Sequence, residues 1–235
     1  MMRILLILSL GAGLLACSSA NTLSVSTQSI PITNEYHDVN SVDSIVSPYR
    51  DSLKEEMREV IAHAAQSFTK GRPGGALNNW AADAVLSYHT ANIRLSAPAV
   101  SLLNVGGLRN PINKGDITVG DIYKLMPFDN EVVWVEMPIS EIPAIEDYLK
   151  KTGGEPISGF HIDGVNVWAN KEGAIKVEFW ILTSDYLMNG GDKMTFFEQR
   201  ISQRGTGILL RDTFMEVAKF QKELIYNDEQ RITFE

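Results

Sequence analysis

Residues 101–110 read SLLNVGGLRN, which joins an apolar segment to two glycines, an arginine and an asparagine. The apolar residues belong to AVSLLN, residues 99–104, which predicts a short buried strand. Gly106 and Gly107 lack a Cβ, so the backbone can turn there and a ligand can approach it closely. Arg109 offers a planar fork of donors that suits a carboxylate, a phosphate or a base edge. The alternative is a glycine turn beside a surface arginine, and spacing alone favours this alternative.

Helices and strands alternate irregularly around this stretch. Apolar spacing predicts helices near residues 47–58, 76–90, 118–126, 140–152 and 206–223. Apolar runs and alternation predict strands near residues 99–104, 130–138, 164–170, 174–182 and 230–235. Residues 59–68 fit a helix or a strand. The irregular order favours an α+β fold, a mixed sheet with flanking helices, over a doubly wound parallel sheet.

Five residues mark the predicted helix ends. Ser47 and Pro48 suit the N-cap and the first position of the first helix. Thr118 marks the entry to the third helix. Ser140 is expected to cap the fourth helix, and Gly153 is expected to end it.

The chain begins with MMRILLILSLGAGLLACSSA. A basic Arg3, an apolar run and small residues before the cysteine are typical of an export signal, and LLAC resembles the lipobox of bacterial lipoproteins. An ordinary secretory signal with a chance cysteine is the alternative. We expect a lipoprotein signal peptide over residues 1–16, a lipidated Cys17 that begins a flexible linker over residues 17–40, and a folded domain over residues 41–235.

Several acyl chains on one cysteine anchor a protein stably, because each buried methylene adds about 0.8 kcal/mol of membrane affinity. Ser18 follows Cys17, where lipoproteins retained at the inner membrane commonly have aspartate. By similarity to these sorting rules, we expect a protein of the cell envelope, lipid-anchored in the outer membrane and facing the periplasm.

The net charge of −8 at pH 7 excludes some partners. An acidic chain disfavours a nucleic acid polymer, which selects a basic face, and electrostatic attachment to anionic lipid. A small anionic ligand held locally stays compatible with this charge. Contact with the membrane is therefore expected through the lipid anchor only.

Two further stretches place an aromatic residue beside a turn. LMPFDN, residues 125–130, puts Phe128 directly after a proline at the end of a predicted helix. There the ring can project into a cleft, or it can belong to the core. TSDYLMNGGDKM, residues 183–194, puts Tyr186 six residues before Asp192, with two glycines between them.

Taken together, LNNWAADAV, NVGGLRNPINKGDITVGDIYKLMPFDN and SDYLMNGGD resemble the C-terminal domain of the 5′-nucleotidase / UDP-sugar hydrolase family. That family has G-N-L-x-x-D-A in the first segment, N-G-G-G-I-R, G-x-I-T and L-P-F-G-N in the second, and N-F-x-x-G-G-D-G in the third. The resemblance covers about residues 45–235. This chain departs from a usual glycine at Asn78, Val105, Asp129 and Lys193. The last two departures are expected to reshape the pocket or its access.

The resemblance implies a nucleotide or nucleoside pocket in which Phe128 and Tyr186 stack on either side of the base. Stacking tolerates different bases, so broad specificity would follow. Asp192 matches the carboxylate that accepts hydrogen bonds from the ribose hydroxyls. The family match also assigns substrate contacts to Asn104, Gly107, Arg109, Asn130 and, in the loosely aligned part corresponding to ERPLG, Arg72.

The resemblance places hydrolysis in a separate N-terminal metallophosphatase domain, which we do not expect in this chain. Two-metal hydrolysis needs clustered His, Asp and Asn ligands. The four histidines here form no D-x-H, G-N-H-[DE] or G-H-x-H pattern, and the sequence has no G-x-S-x-G or Walker motif. We therefore expect no catalytic residue, metal or cofactor in this chain, and divalent metals only in a partner metallophosphatase.

Three functions fit this sequence. The chain can be the substrate-binding half of a split 5′-nucleotidase whose metallophosphatase is a separate chain. It can be a stand-alone nucleoside-binding module. It can also be a scaffold whose pocket has degenerated, an interpretation that the replacement of glycine by Lys193 keeps open.

Overall fold

The computed structural model describes residues 26–29, 40–163, 166–169 and 178–234. The chain divides into two units, residues 1–45 and residues 46–235. In the first unit, residues 26–29 are exposed and lack regular secondary structure, and a helix begins at Asn40. The predicted signal peptide, Cys17 and most of the predicted linker lie outside the described residues. Within the described ranges, every helix is too short or too polar to cross a membrane.

The described residues form helices and strands in an irregular order. The helices are α1 Asn40–Arg58, α2 Ala76–Thr90, α3 Val119–Leu125, α4 Ile142–Thr152, α5 Asp185–Met188 and α6 Leu210–Gln221. Short 3₁₀ turns cover Ile139–Glu141, Gly191–Lys193 and Thr195–Gln199. The strands are β1 Val60–Ala64, β2 Ala99–Leu102, β3 Gly115–Thr118, β4 Glu131–Met137, β5 Ile157–Ser158, β6 Phe160–Asp163, β7 Asn166–Ala169, β8 Phe179–Ser184, β9 Ser202–Leu209 and β10 Ile232–Thr233.

A five-stranded mixed sheet organises the fold, in the order β5-β2-β8-β4-β9. Strands β2 and β8 run parallel, and the other neighbours are antiparallel. Two smaller sheets pair β1 with β3 and join β10, β6 and β7. Helices flank the central sheet, so the predicted α+β fold with a mixed sheet is confirmed.

Strand β4 separates two apolar cores, because successive side chains of a strand point to opposite faces. Val132 and Trp134 belong to the core that includes residues of α2, α3 and α6. Val133 and Val135 belong to the other core, which includes residues of α4, β6 and β8. Strand β4 is therefore buried on both faces of the central sheet.

Several predicted boundaries are confirmed. Helix α2 covers the predicted residues 76–90. Thr118 caps α3 in a capping box, accepting a hydrogen bond from Asp121 N at 3.2 Å while the Asp121 carboxylate accepts one from Thr118 N. Gly153 ends α4 with a left-handed φ of 78°.

Other boundaries were wrong. Helix α1 begins at Asn40, and Pro48 lies inside it rather than at its start. Ser140 belongs to a 3₁₀ turn, and α4 begins at Ile142 with a proline in its first turn, where no amide hydrogen is needed. The last helix begins at Leu210 rather than at residue 206.

Backbone pairing explains the remaining differences. Residues 202–209 pair with β4 as strand β9. Residues 206–209, the first four residues of the predicted last helix, therefore belong to this strand. The undecided residues 59–68 contain β1, which pairs with the unpredicted strand β3. The strand predicted at 174–182 lies at Phe179–Ser184, and residues 174–177 fall outside the described part of the chain.

Candidate functional site

A cavity of about 330 Å³ opens at one edge of the central sheet. It is lined by Asn104, Gly106, Gly107, Arg109, Phe128, Asn130, Tyr186 and Asp192, and we call it the aromatic pocket. Seven of the eight substrate-binding residues predicted from the sequence lie in this lining. Their roles in binding stay predictions.

Sheet topology brings these distant residues together. Strands β2 and β8 are parallel neighbours, so their carboxyl ends lie at the same edge. The 104–109 turn follows β2, and α5 follows β8. Strand β4 runs antiparallel to β8, with Val132 opposite Ser184, so the residues preceding β4 reach that edge as well.

The backbone of the 104–109 turn passes close to the Asn104 side chain. A Cβ on Gly107 would lie 2.6 Å from Asn104 Oδ1, so the Asn104 amide would have to shift to admit it. Gly107 N donates to Asn104 O at 3.1 Å and closes the turn. Asn104 Nδ2 donates to Asp192 Oδ2 at 2.6 Å, which joins this turn to the opposite wall.

A buried carboxylate supports the same turn from below. Val105 N donates to Glu155 Oε2 at 2.7 Å. Arg72 Nη2 donates to Glu155 Oε1 at 2.8 Å, and its other terminal nitrogen donates to Gly154 O. Burial raises the pKa of Glu155, although hydrogen bonds from Val105 and Arg72 act in the opposite direction. The structure therefore places Arg72 behind the turn, outside the lining of the aromatic pocket.

Side-chain contacts fix the Tyr186 wall. A Cβ on Gly191 would lie 2.5 Å from the Tyr186 ring, so the ring rests directly on glycine backbone. Tyr186 Oη donates to Asp192 Oδ1 at 2.9 Å, and Asp192 N donates back to that hydroxyl at 3.3 Å. Tyr148 Oη donates to Asp192 O at 3.1 Å. Burial, then the charges of Glu155 and Asp192, raise the pKa of Tyr148 to about 12, so its hydroxyl stays a donor.

Phe128 forms the opposite wall, and its ring is 40% exposed rather than buried in the core. The Arg109 guanidinium lies 5.9 Å from the centroid of this ring. Arg109 Nη1 donates to Gly106 O at 3.3 Å, and Arg109 N donates to Leu125 O at 2.8 Å. Both its backbone and its side chain therefore connect the 104–109 turn to the segment that carries Phe128.

Sequence reasoning missed two residues that hold these segments. Asp185 Oδ1 accepts hydrogen bonds from Glu131 N at 3.1 Å and Tyr186 N at 2.8 Å, which joins the start of β4 to α5. Arg211 on α6 donates to Phe128 O at 3.3 Å and to Asp129 Oδ1 at 2.6 Å. Arg211 could have been predicted as a buried residue, because it is a cation on the apolar face of the predicted last helix.

Within residues 26–29, 40–163, 166–169 and 178–234, no cluster of three or more His, Cys, Asp or Glu residues could hold a metal ion. The described histidines have other contacts: His63 with Asp116, His89 with Thr213 and His161 with Glu229. The aromatic pocket combines two exposed rings, one carboxylate, one guanidinium and two amides. These groups can stack on a planar ring system and hydrogen-bond a polyhydroxylated ligand.

Residues 60–145 match the family model described as 5′-nucleotidase, C-terminal domain. A 5′-nucleotidase of Vibrio cholerae is 28% identical over 140 residues, which cover 56% of this chain and 23% of that protein. A 5′-nucleotidase of Vibrio parahaemolyticus is 34% identical over 68 residues, which cover 29% and 12%. The chain therefore spans less than a quarter of the length of these curated relatives.

Solved structures share the fold. A 5′-nucleotidase precursor from Thermus thermophilus superposes with a TM-score of 0.68 at 24% identity, over 83% of this chain and 43% of that one. The NAD nucleotidase of Haemophilus influenzae superposes with a TM-score of 0.66 at 17% identity, over 84% and 41%. The match of residues 60–145 to the family model confirms the resemblance recognised in the sequence, and these structures share the fold.

Proposed function

We propose that this chain, whose residues 60–145 match the 5′-nucleotidase C-terminal domain model, binds a nucleoside or nucleotide in the aromatic pocket, as the substrate-binding half of a split 5′-nucleotidase. One observation carries this proposal: two exposed aromatic rings and the Asp192 carboxylate line one cavity. Lipidated Cys17 would hold the protein at the outer membrane, facing the periplasm.

The aromatic walls suit a nucleobase. Phe128 and Tyr186 are 40% and 47% exposed, although large aromatic side chains usually bury most of their surface. Stacking on one such ring contributes about 1–3 kcal/mol per base and accepts every base. The cavity of about 330 Å³ lies at the small end of the range for ligand pockets.

The ribose would lie against Asp192. Each carboxylate oxygen already accepts one hydrogen bond, from Tyr186 and from Asn104, and each has lone pairs for another. Two adjacent ribose hydroxyls can donate to such a pair of acceptors. Arg109 adds a cation at the same pocket for a phosphate or a base edge.

In the split arrangement, a separately encoded metallophosphatase supplies the divalent metals and the attacking water. This chain supplies binding energy, which orients the phosphate at the partner's site. Mixing the protein with an exported metallophosphatase encoded beside it should produce AMP hydrolysis that neither protein gives alone. Nucleoside binding without added hydrolysis in this mixture would favour a stand-alone binding module.

Calorimetric titration tests the binding step directly. The chain from Ser18 onward is titrated with adenosine, AMP, uridine and a UDP-sugar. Saturable binding of adenosine would support the nucleoside pocket. No binding of any of the four would contradict the proposal and favour a degenerate scaffold.

Two variants test the stacking geometry. Phe128→Ala and Tyr186→Ala should each weaken adenosine binding by about 1–3 kcal/mol while the domain stays folded. Phe220→Ala and Tyr49→Ala are matched controls, because these rings are 87% and 77% exposed and lie outside the pocket lining. Wild-type affinity in both pocket variants would remove the stacking model.

A further inference from the structure

The segment Phe128–Asn130 provides two residues of the aromatic pocket, and the Arg109 guanidinium lies near the exposed Phe128 ring. Other contacts fix the backbone of this segment. Its backbone and side chains offer three consecutive acceptors: Phe128 O, Asp129 Oδ1 and Asn130 O. All three are bound by the first two residues of α6. Arg211 donates to Phe128 O at 3.3 Å and to Asp129 Oδ1 at 2.6 Å, and Leu210 N donates to Asn130 O at 2.8 Å.

Arg211 is itself held in one position. The residue is 7% exposed, and its guanidinium carbon lies 4.3 Å from the centroid of the Tyr123 ring. Within the described residues its Nε atom is buried without a hydrogen-bond partner, so the two terminal nitrogens make its hydrogen bonds. A planar, rigid fork stacked on a ring can serve two acceptors in fixed directions, which the single ammonium of lysine cannot do.

We propose that Arg211 is a positioning residue of the nucleoside site, which acts through the Phe128–Asn130 backbone to fix the Phe128 ring at the aromatic pocket. This inference rests on the proposed function. A ring fixed before binding avoids the cost of ordering it on the ligand, so Arg211 contributes to affinity without touching the nucleoside. Asp129 neutralises the buried guanidinium and binds it at the same time.

A double-mutant cycle separates positioning from a general effect on folding. Adenosine is titrated calorimetrically into the wild-type protein, Arg211→Lys, Phe128→Ala and the double variant. Arg211→Lys should weaken binding by about threefold to tenfold, the cost of ordering one side chain on binding. In the Phe128→Ala background the same change should have no further effect on affinity, because the ring through which Arg211 acts is gone.

Arg204→Lys is the matched control, since Arg204 also lies over an aromatic ring, 5.5 Å from the Trp134 centroid, but outside the pocket lining. The affinity of the Arg204→Lys variant for adenosine should equal that of the wild-type protein. Asp129→Ala is a second test if Arg211→Lys does not fold, because it leaves the Arg211 side chain stacked on the Tyr123 ring and hydrogen-bonded to Phe128 O. It should also weaken binding, and only while Phe128 is present.

Each outcome decides the inference. Equal fold losses for Arg211→Lys, or for Asp129→Ala, with and without Phe128 would show additive effects and overturn the positioning role. Wild-type affinity in both variants would also overturn it. A wild-type protein that binds no adenosine would instead refute the nucleoside site and this inference with it.

Discussion

Two buried charges lie beneath the aromatic pocket, and they are opposite in sign and in arrangement. Under Phe128, the cation is buried and its partner exposed: the side chains of Arg211 and Asp129 are 9% and 79% exposed. Under the 104–109 turn, the anion is buried and its partner half-exposed: the side chains of Glu155 and Arg72 are 2% and 38% exposed.

The difference identifies the partner that matters more for stability. Removal of the exposed partner leaves a charge in a low-dielectric environment, whereas removal of the buried partner leaves a charge that can reach water. In each pair, the more exposed residue should therefore be the more costly one to replace. The Tyr186 wall differs from both pairs. The Tyr186 ring packs against Gly191, and its hydroxyl donates a hydrogen bond to Asp192.

Arg72→Met should give the largest effect. It leaves Glu155 buried with Val105 N as its remaining hydrogen-bond donor, and the free energy of unfolding should fall by about 3 kcal/mol. Glu155→Gln should cost about 1 kcal/mol, because Arg72 can turn toward water. Chemical denaturation of both variants, with Arg94→Met as an exposed control, measures this order. A larger loss for Glu155→Gln would reverse the comparison.

Gly191→Ala tests the wall that has no buried charge. The new Cβ would lie 2.5 Å from the Tyr186 ring, so the ring must move or the turn must open. Overpacking of this kind costs about 1–3 kcal/mol of stability, and adenosine affinity should fall with it. Gly74→Ala is the control, because nothing lies within 4 Å of its Cβ. Unchanged affinity in Gly191→Ala would mean that the ring position is unimportant for binding.

The pH dependence of stability distinguishes the buried anion from the buried cation. Burial raises the pKa of Glu155 in the folded state. Its stabilising contribution is therefore fully present below the unfolded value of about 4.5 and is lost as pH rises through the folded value. The free energy of unfolding of the wild type minus that of Glu155→Gln should decrease as pH rises above about 4.5. A constant difference would contradict the raised pKa.

Motifs identified the pocket because each lining segment has its own local signature. Gly106 and Gly107 lack a Cβ, and the aromatic residues flank turns. Spacing and the family resemblance were therefore sufficient to predict these residues of the pocket lining. The supports were not predictable in this way. Arg72 and Glu155 lie 83 positions apart in two separate loops, and nothing near either residue in the sequence indicates its partner.

Element boundaries failed where tertiary pairing competes with local preference. Residues 206–209 continue a plausible helix, but Leu209 pairs with Glu131 and the Thr206 hydroxyl donates to Val132 O at 2.7 Å. The short strands β1 and β3 stabilise each other across a long stretch of sequence, as the pairing of His63 with Asp116 illustrates. Such pairings become visible only once the chain is folded.

Lys193, where the resemblance leads us to expect a glycine, should give the smallest effect. Its φ of 66° is left-handed, a conformation that favours glycine, and its side chain does not line the aromatic pocket. Lys193→Gly removes about 1 kcal/mol of backbone strain and adds chain entropy to the unfolded state, so stability should rise by about 0.5 kcal/mol. Lys114→Gly is the control, since φ of Lys114 is not positive and glycine should destabilise it. Adenosine affinity should not change in Lys193→Gly, and a clear gain would mean that this lysine obstructs the pocket.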